Sequence, residues 1–216
     1  VTAKLVPVMA VVYIATALFV ILYNADRIPA GLAAIVHDAF EPQGMAGGLL
    51  GVVVLGFRRA AFSNEAGIGS SSIAHAAVKT REPLTQGFVA MLEPLIDTII
   101  VCSITALVIV TAFEPGSLAT GEVNGVELTS AAFEQVVSWF PSVLSLVVLL
   151  FAYSTLITWS YYGLEGIIYL IGPSPAVRWS FNIFYCLCAI IGCTTTLATI
   201  LEFSDAMIFA MAFANL

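Results

Sequence analysis

Apolar runs long enough to cross a lipid bilayer decide what this chain can become. Leu5 to Tyr23 carries no charged residue and comes close to the roughly 20 residues that a spanning helix needs. Further long apolar runs lie at 86–111, 142–170 and 181–201. Backbone inside hydrocarbon must satisfy its own polar groups, so only helices or a closed barrel can span. The strand-sized alternation of a barrel is absent, which leaves an all-α polytopic membrane protein in a lipid bilayer, with a cell (inner) membrane as the expected location. With 60% hydrophobic and 10% charged residues, the composition lies outside that of soluble domains. The net charge of −7 gathers in loops and reads as a solvated face, so nucleic acid is not an expected partner.

The expected organisation is one partial transmembrane domain over residues 1–216, with about six membrane segments at 5–23, 44–78, 86–111, 142–170, 181–201 and 206–216. Both ends read as cut: no signal-peptide pattern opens the chain, and the run at 206–216 is too short to span. Between segments, 28–43 carries Pro29, His37, Asp38, Glu41 and Pro42, which suits an interfacial loop with a short amphipathic helix and a surface histidine. Residues 113–140 form a long acidic loop holding Glu114, Glu122, Glu127 and Glu134 without Lys or Arg. Thr194 to Thr196 end the helix above them or line it, and Glu202 and Asp205 mark a turn. Cys102, Cys186, Cys188 and Cys193 lack zinc-site spacing and are expected as small buried hydrophobes.

The second segment interrupts itself. Gly44 to Phe57 and Ile73 to Val78 are each too short to span, and Phe62-Ser-Asn-Glu-Ala-Gly-Ile-Gly69 lies between them. Joined, they fit one crossing broken near 56–69 into two half-helices, as in transporter binding sites. A re-entrant loop between two helices, or a loop in water, fits the same residues. A carboxylate at that depth, Glu65, is expensive and by default marks function. Thr98, Cys102 and Thr105 fall on one helical face expected to look inward, with Asp97 beside it in need of a partner and Glu93 and Pro94 near the start of the span. Ser154, Thr158, Tyr161 and Glu165 form a second polar stripe, whose hydroxyls are a ligand type that sodium accepts. If every segment reverses direction, Lys4, Lys79, Arg81 and Arg178 share one side and Arg27 the other. Basic residues gather on the cytoplasmic side, so the 113–140 loop is expected outside and the Lys79/Arg81 and Arg178 loops inside.

Gly56-Phe-Arg-Arg59, Phe62-Ser-Asn-Glu-Ala-Gly-Ile-Gly69 and Ile73-Ala-His-Ala-Ala77 together resemble the signature of the alanine or glycine:cation symporter family. Gln86-Gly-Phe-Val-Ala-Met91, Ile96-Asp-Thr-Ile-Ile-Val-Cys102, Thr105-Ala-Leu-Val-Ile109, Phe151-Ala-Tyr-Ser-Thr155 and Trp159-Ser-Tyr-Tyr-Gly163 resemble it in the same order. The resemblance implies a partial leucine-transporter type fold, the second inverted repeat plus the helix before it. The N-terminal half of the same protein is then the missing partner, and sodium-coupled symport of alanine or glycine by alternating access is the implied activity. A channel or receptor subunit and a non-functional structural fragment are the rival classes. No Ser-His-Asp set, phosphate loop or metal cluster suggests an enzyme.

For a zwitterionic ligand, the resemblance implies a site at Gly56, Phe57, Phe62, Ser63, Asn64, Glu65, Gly67 and Gly69. The glycines permit close backbone approach, Ser63 and Asn64 suit either charged group, and Phe57 and Phe62 wall the side chain. Glu65 is open to three roles: holding the ammonium, coupling to the cation, or pairing with Arg58 or Arg59, the last being preferred. His75 is expected as a packed histidine bonded to Ser71 or Ser72, with a proton relay as the alternative. The same resemblance places sodium, the coupling ion, at Ala152, Ser154 and Thr155, at oxygen distances of roughly 2.3–2.5 Å.

Overall fold

A computed structural model describes residues 2–40, 48–113 and 125–215. The predicted start of the second crossing at Gly44, the loop residues Glu41 to Gln43, the stretch holding Glu114 and Glu122, and Leu216 lie outside the described residues.

Every regular element among the described residues is helical, as the apolar runs require. Helix α1 covers Thr2–Tyr23 with Pro7 tolerated near its start, and a short 3₁₀ turn, Ala25–Arg27, leads into α2, Ile28–Phe40. Residues of the expected broken crossing form α3, Gly48–Asn64, and α4, Ser71–Ala76. Helix α5, Pro83–Pro94, continues through a π-helical stretch, Leu95–Val101, into α6, Cys102–Ala112. Then come α7, Val126–Glu134, α8, Phe140–Ile171, α9, Pro175–Cys193, and α10, Leu197–Ala214. Among the described residues, five helices are long and apolar enough to cross a membrane, including the continuous Pro83–Ala112; this is a multi-pass membrane protein.

Local chemistry moves several predicted boundaries. The lower part of the predicted acidic loop folds as α7. Glu202 and Asp205 lie inside α10 rather than in a turn, and the chain turns at Thr194 to Thr196. Thr194 and Thr195 donate their hydroxyls back to the Ile191 carbonyl at 2.8 and 3.0 Å, and the Thr196 side chain caps α10 by accepting the Thr199 N–H at 3.4 Å, a standard use of Thr at an N-cap. The Thr98, Cys102, Thr105 stripe does not hold as one inward face: Thr98 and Thr105 are half-buried, and Cys102 is exposed. The π-helical stretch holds more residues per turn than the α period assumed for that stripe. All four cysteines are exposed rather than buried, as are the apolar side chains of Phe19, Leu22, Tyr169 and Phe213.

The described residues fall into two compact units that divide within α3, within the continuous α5–α6 helix and within α8. In the first, comprising residues 1–56 and 95–154, Ala17, Val20 and Ile21 of α1, Val108 of α6, Phe133 of α7 and Phe140 and Leu144 of α8 form the core. The rings of Phe133 and Phe140 pack 4.6 Å apart. Tyr13 on α1 and Thr105 on α6 share a hydroxyl hydrogen bond of 2.6 Å, the kind of polar contact that holds helices together where lipid offers no hydrophobic drive.

The second unit comprises residues 57–94 and 155–216. Here α8 and α9 meet at Gly163, where a Cβ would stand 2.6 Å from the Phe181 ring, so only glycine admits this approach. The Tyr185 hydroxyl donates to the Leu156 carbonyl at 2.9 Å along the same seam. The same unit holds the end of α3 from Phe57, the break, α4, α5 and α10.

Candidate functional site

The break is narrower than the sequence suggests. Helix α3 runs unbroken through Asn64, so Gly56, Phe57, Phe62 and Ser63 are helical and the non-helical backbone is confined to 65–70. Arg58, Arg59, Ala60 and Ala61 are good helix formers, and Gly56 is not in the left-handed region that would have ended the helix there.

Glu65, Gly67 and Gly69 adopt φ values of 55°, 83° and 87°. Such a conformation costs a side-chain-bearing residue about 1–2 kcal/mol and glycine little; Glu65 alone of the three bears that cost. Its own side chain offsets it, since the Ser70 hydroxyl donates to Glu65 Oε2 at 2.6 Å. Asn64 Oδ1 accepts the Ala66 N–H at 2.9 Å, and the Ile68 N–H reaches the Glu65 carbonyl at 3.3 Å. Ile68 and Ser70 are buried. The Ser72 hydroxyl donates to the Gly69 carbonyl at 2.6 Å, closing the break onto α4.

Side chains of α10 and of the residue after it contact α3 ahead of the break and the middle of the break itself. Arg59 on α3 and Asp205 on α10 form an ion pair of 3.0 Å in which the Asp205 side chain is 9% exposed and that of Arg59 44%. Asn215, just past the end of α10, donates its side-chain N–H to the Gly67 carbonyl at 3.2 Å. A Cβ on Gly69 would stand 3.1 Å from Asn215 Oδ1, so the carboxamide sits directly against the second glycine.

These contacts reassign two predicted partnerships. Glu65 bonds Ser70 rather than Arg58 or Arg59, because Arg59 is engaged by the buried Asp205. His75 bonds neither Ser71 nor Ser72: its Nδ1 lies 2.6 Å from Gln86 Nε2 and its Nε2 3.6 Å from Glu93 Oε2. The Gln86 amide nitrogen can only donate, so Nδ1 accepts from it, whereas the 3.6 Å to Glu93 is longer than a hydrogen bond and brings the two side chains near each other without one. Helix α5 therefore holds α4 through one imidazole.

The remaining predicted residues are less gathered. Gly56 has open space around it, and Phe57 and Phe62 are exposed, so the described residues do not close an apolar wall. Ala152, Ser154 and Thr155 lie on the unbroken α8. At 3.6 residues per turn, Ala152 and Thr155 share a face while Ser154 points elsewhere. Ser154 is buried and donates to the Phe151 carbonyl at 2.9 Å. No cluster of three His, Cys, Asp or Glu suited to a metal occurs among the described residues.

Asn215, Ser70 and Gln86 were given no role from the sequence, and Asp205 was placed in a turn. An acidic residue in an apolar run is itself a signal, which Asp205 carried; the other three carried none.

Removing one partner of a buried ion pair strands the other. Arg59→Met is therefore expected to destabilise the detergent-solubilised parent by about 2 kcal/mol, less than a fully buried pair because half of the Arg59 side chain is exposed. Asp205→Asn, which removes the buried charge itself, should cost less in the same thermal melt.

The family model described as the sodium:alanine symporter family matches residues 1–216. Among curated relatives, the "Sodium/alanine symporter AgcS" of Methanococcus maripaludis is 37% identical over 216 residues, all of this chain and 47% of the relative. The "Probable sodium/glutamine symporter GlnT" of Bacillus subtilis is 35% identical over 99% of this chain and 44% of its own length. The "Amino-acid carrier protein AlsT" of Bacillus subtilis is 38% identical over 76% of this chain and 34% of its own. The chain spans about half the length of the first two of these relatives.

Proposed function

The chain belongs to the sodium:alanine symporter family, a family of transporters and not of enzymes, and from that premise we propose that it is the C-terminal half of a secondary active transporter. That transporter carries a small neutral amino acid, alanine or glycine, together with sodium, and its N-terminal half completes the site. The observation that carries this reading is the break at 65–70. Three left-handed residues in five positions turn backbone amides and carbonyls out of the helical ladder, and membrane depth tolerates this only where protein, ligand or a water-filled cavity satisfies them.

An amino acid presents a carboxylate and an ammonium to such a break. The amides of Gly67 and Gly69 donate to no backbone carbonyl among the described residues and suit the carboxylate. Asn64 and Ser63 at the end of α3 suit either charged group. Gly56, Phe57 and Phe62 bound the side-chain space on α3, two aromatic rings favouring a small substrate. Glu65 braces the break through Ser70 and acts on the ligand through backbone geometry. Sodium binds at Ala152, Ser154 and Thr155, with the Ala152 carbonyl and the Thr155 hydroxyl on one face and Ser154 adjoining. The polarity of the basic residues supports the 113–140 loop outside and the loops carrying Lys79, Arg81 and Arg178 in the cytoplasm. Transport proceeds by alternating access about the midplane site, the sodium gradient shifting the conformational equilibrium.

Vesicles containing the full-length parent are expected to concentrate labelled alanine and glycine only under an inward sodium gradient. Preferential uptake of glutamine would replace the small substrate with a larger one, and sodium-driven current without concentrative uptake would replace the symporter with a channel. In the same vesicles Thr155→Ala should raise the sodium concentration for half-maximal uptake severalfold, and Ser154→Ala should raise it less. Unchanged sodium dependence in both would remove the α8 assignment.

A further inference from the structure

We propose that Asn215 is a positioning residue for the substrate carboxylate, its donated hydrogen bond fixing the peptide plane of the break so that the Gly67 and Gly69 amides face the ligand. The inference rests on the symporter reading given above.

The peptide between Gly67 and Ile68 is anchored at both ends. Its oxygen accepts from Asn215 Nδ2 at 3.2 Å, and its hydrogen, on Ile68, points to the Glu65 carbonyl at 3.3 Å. The peptides on either side carry the Gly67 and Gly69 N–H groups. Glycine crosses between positive and negative φ at little cost, so a peptide set between two glycines within a span of three residues can rotate easily. The Glu65 contact is local to the same loop and moves with it. Asn215 reaches in from another helix and supplies the external reference.

The packing supports the same assignment. Asn215 Oδ1 lies 3.1 Å, and its Cβ 3.7 Å, from where a Cβ on Gly69 would stand. The carboxamide thus fills the space that Gly69 leaves by lacking a side chain, while a Cβ on Gly67 would meet open space. The Arg59–Asp205 pair fixes α10 against α3 ahead of the break, which makes α10 a support for the carboxamide. Asn215 touches the backbone of the site rather than the ligand, and acts by pre-organising two donors that would otherwise have to be ordered on binding.

The test is alanine uptake kinetics in vesicles of the full-length parent. Asn215→Leu keeps the shape without the donor, and Asn215→Asp keeps an acceptor oxygen but sets a carboxylate against the Gly67 carbonyl. The two differ in polarity and share the loss of the N–H. Both are expected to raise the KM for alanine about fivefold, the worth of one net hydrogen bond, with Vmax and sodium half-saturation unchanged. Asn215→Gln, which retains the donor, should stay within about twofold of the parent. Parent-like KM in both Leu and Asp variants, or a fall in Vmax at constant KM, overturns the proposal; the Asp variant carries the test where the Leu variant fails to reach the membrane. Absence of alanine uptake in the unmutated parent overturns the transport reading instead.

Discussion

Six residues of non-helical backbone, Glu65 to Ser70, set the terms for the rest of the second unit. Inside a membrane an unmade backbone hydrogen bond costs several kcal/mol, and water is not there to make it. The chain answers locally first. Asn64 accepts from the Ala66 amide and Ser72 donates to the Gly69 carbonyl, each with a short side chain close to the backbone group it satisfies, and Ser70 donates to the Glu65 carboxylate between them. That is why a single stretch concentrates Asn, Glu and Ser amid apolar sequence.

Local answers do not fix where the break sits. That is done by long-range ties, from Arg59 to Asp205 and from Gly67 to Asn215 on the α10 side, and from His75 to Gln86 on the α5 side. The result is a strained, glycine-bearing turn held by helices on either side, while its apolar neighbours Phe57 and Phe62 stand exposed. Rigid support around a backbone free of its own ladder is what a site for a small charged ligand requires, since donors already in place need not be ordered on binding.

Class and architecture were legible because they follow from length and hydropathy. A run such as Leu5 to Tyr23 has one stable fate in a bilayer, and the motif from Gly56 to Ala77 pointed to the family whose model matches the whole chain. Boundaries set by capping were less legible: Thr194 to Thr196 end one helix and start another through hydroxyl contacts that hydropathy does not weigh, so Glu202 and Asp205 were misplaced into a turn. Side-chain partners were least legible. The preferred pairing of Glu65 with arginine failed because a competing carboxylate, Asp205, lies 146 residues away from Arg59. The stripe through Thr98, Cys102 and Thr105 failed because the π-helical stretch changed the period on which it was drawn.

The central claim is that the backbone between Asn64 and Ser70 meets the transported amino acid. The most direct measurement is the rate at which a thiol-reactive probe modifies Ala66→Cys in the full-length parent, with and without alanine, in sodium buffer. Alanine is predicted to slow modification in sodium and to leave it unchanged when sodium is replaced by choline. Equal rates with and without saturating alanine in sodium, in protein that transports it, would contradict the claim.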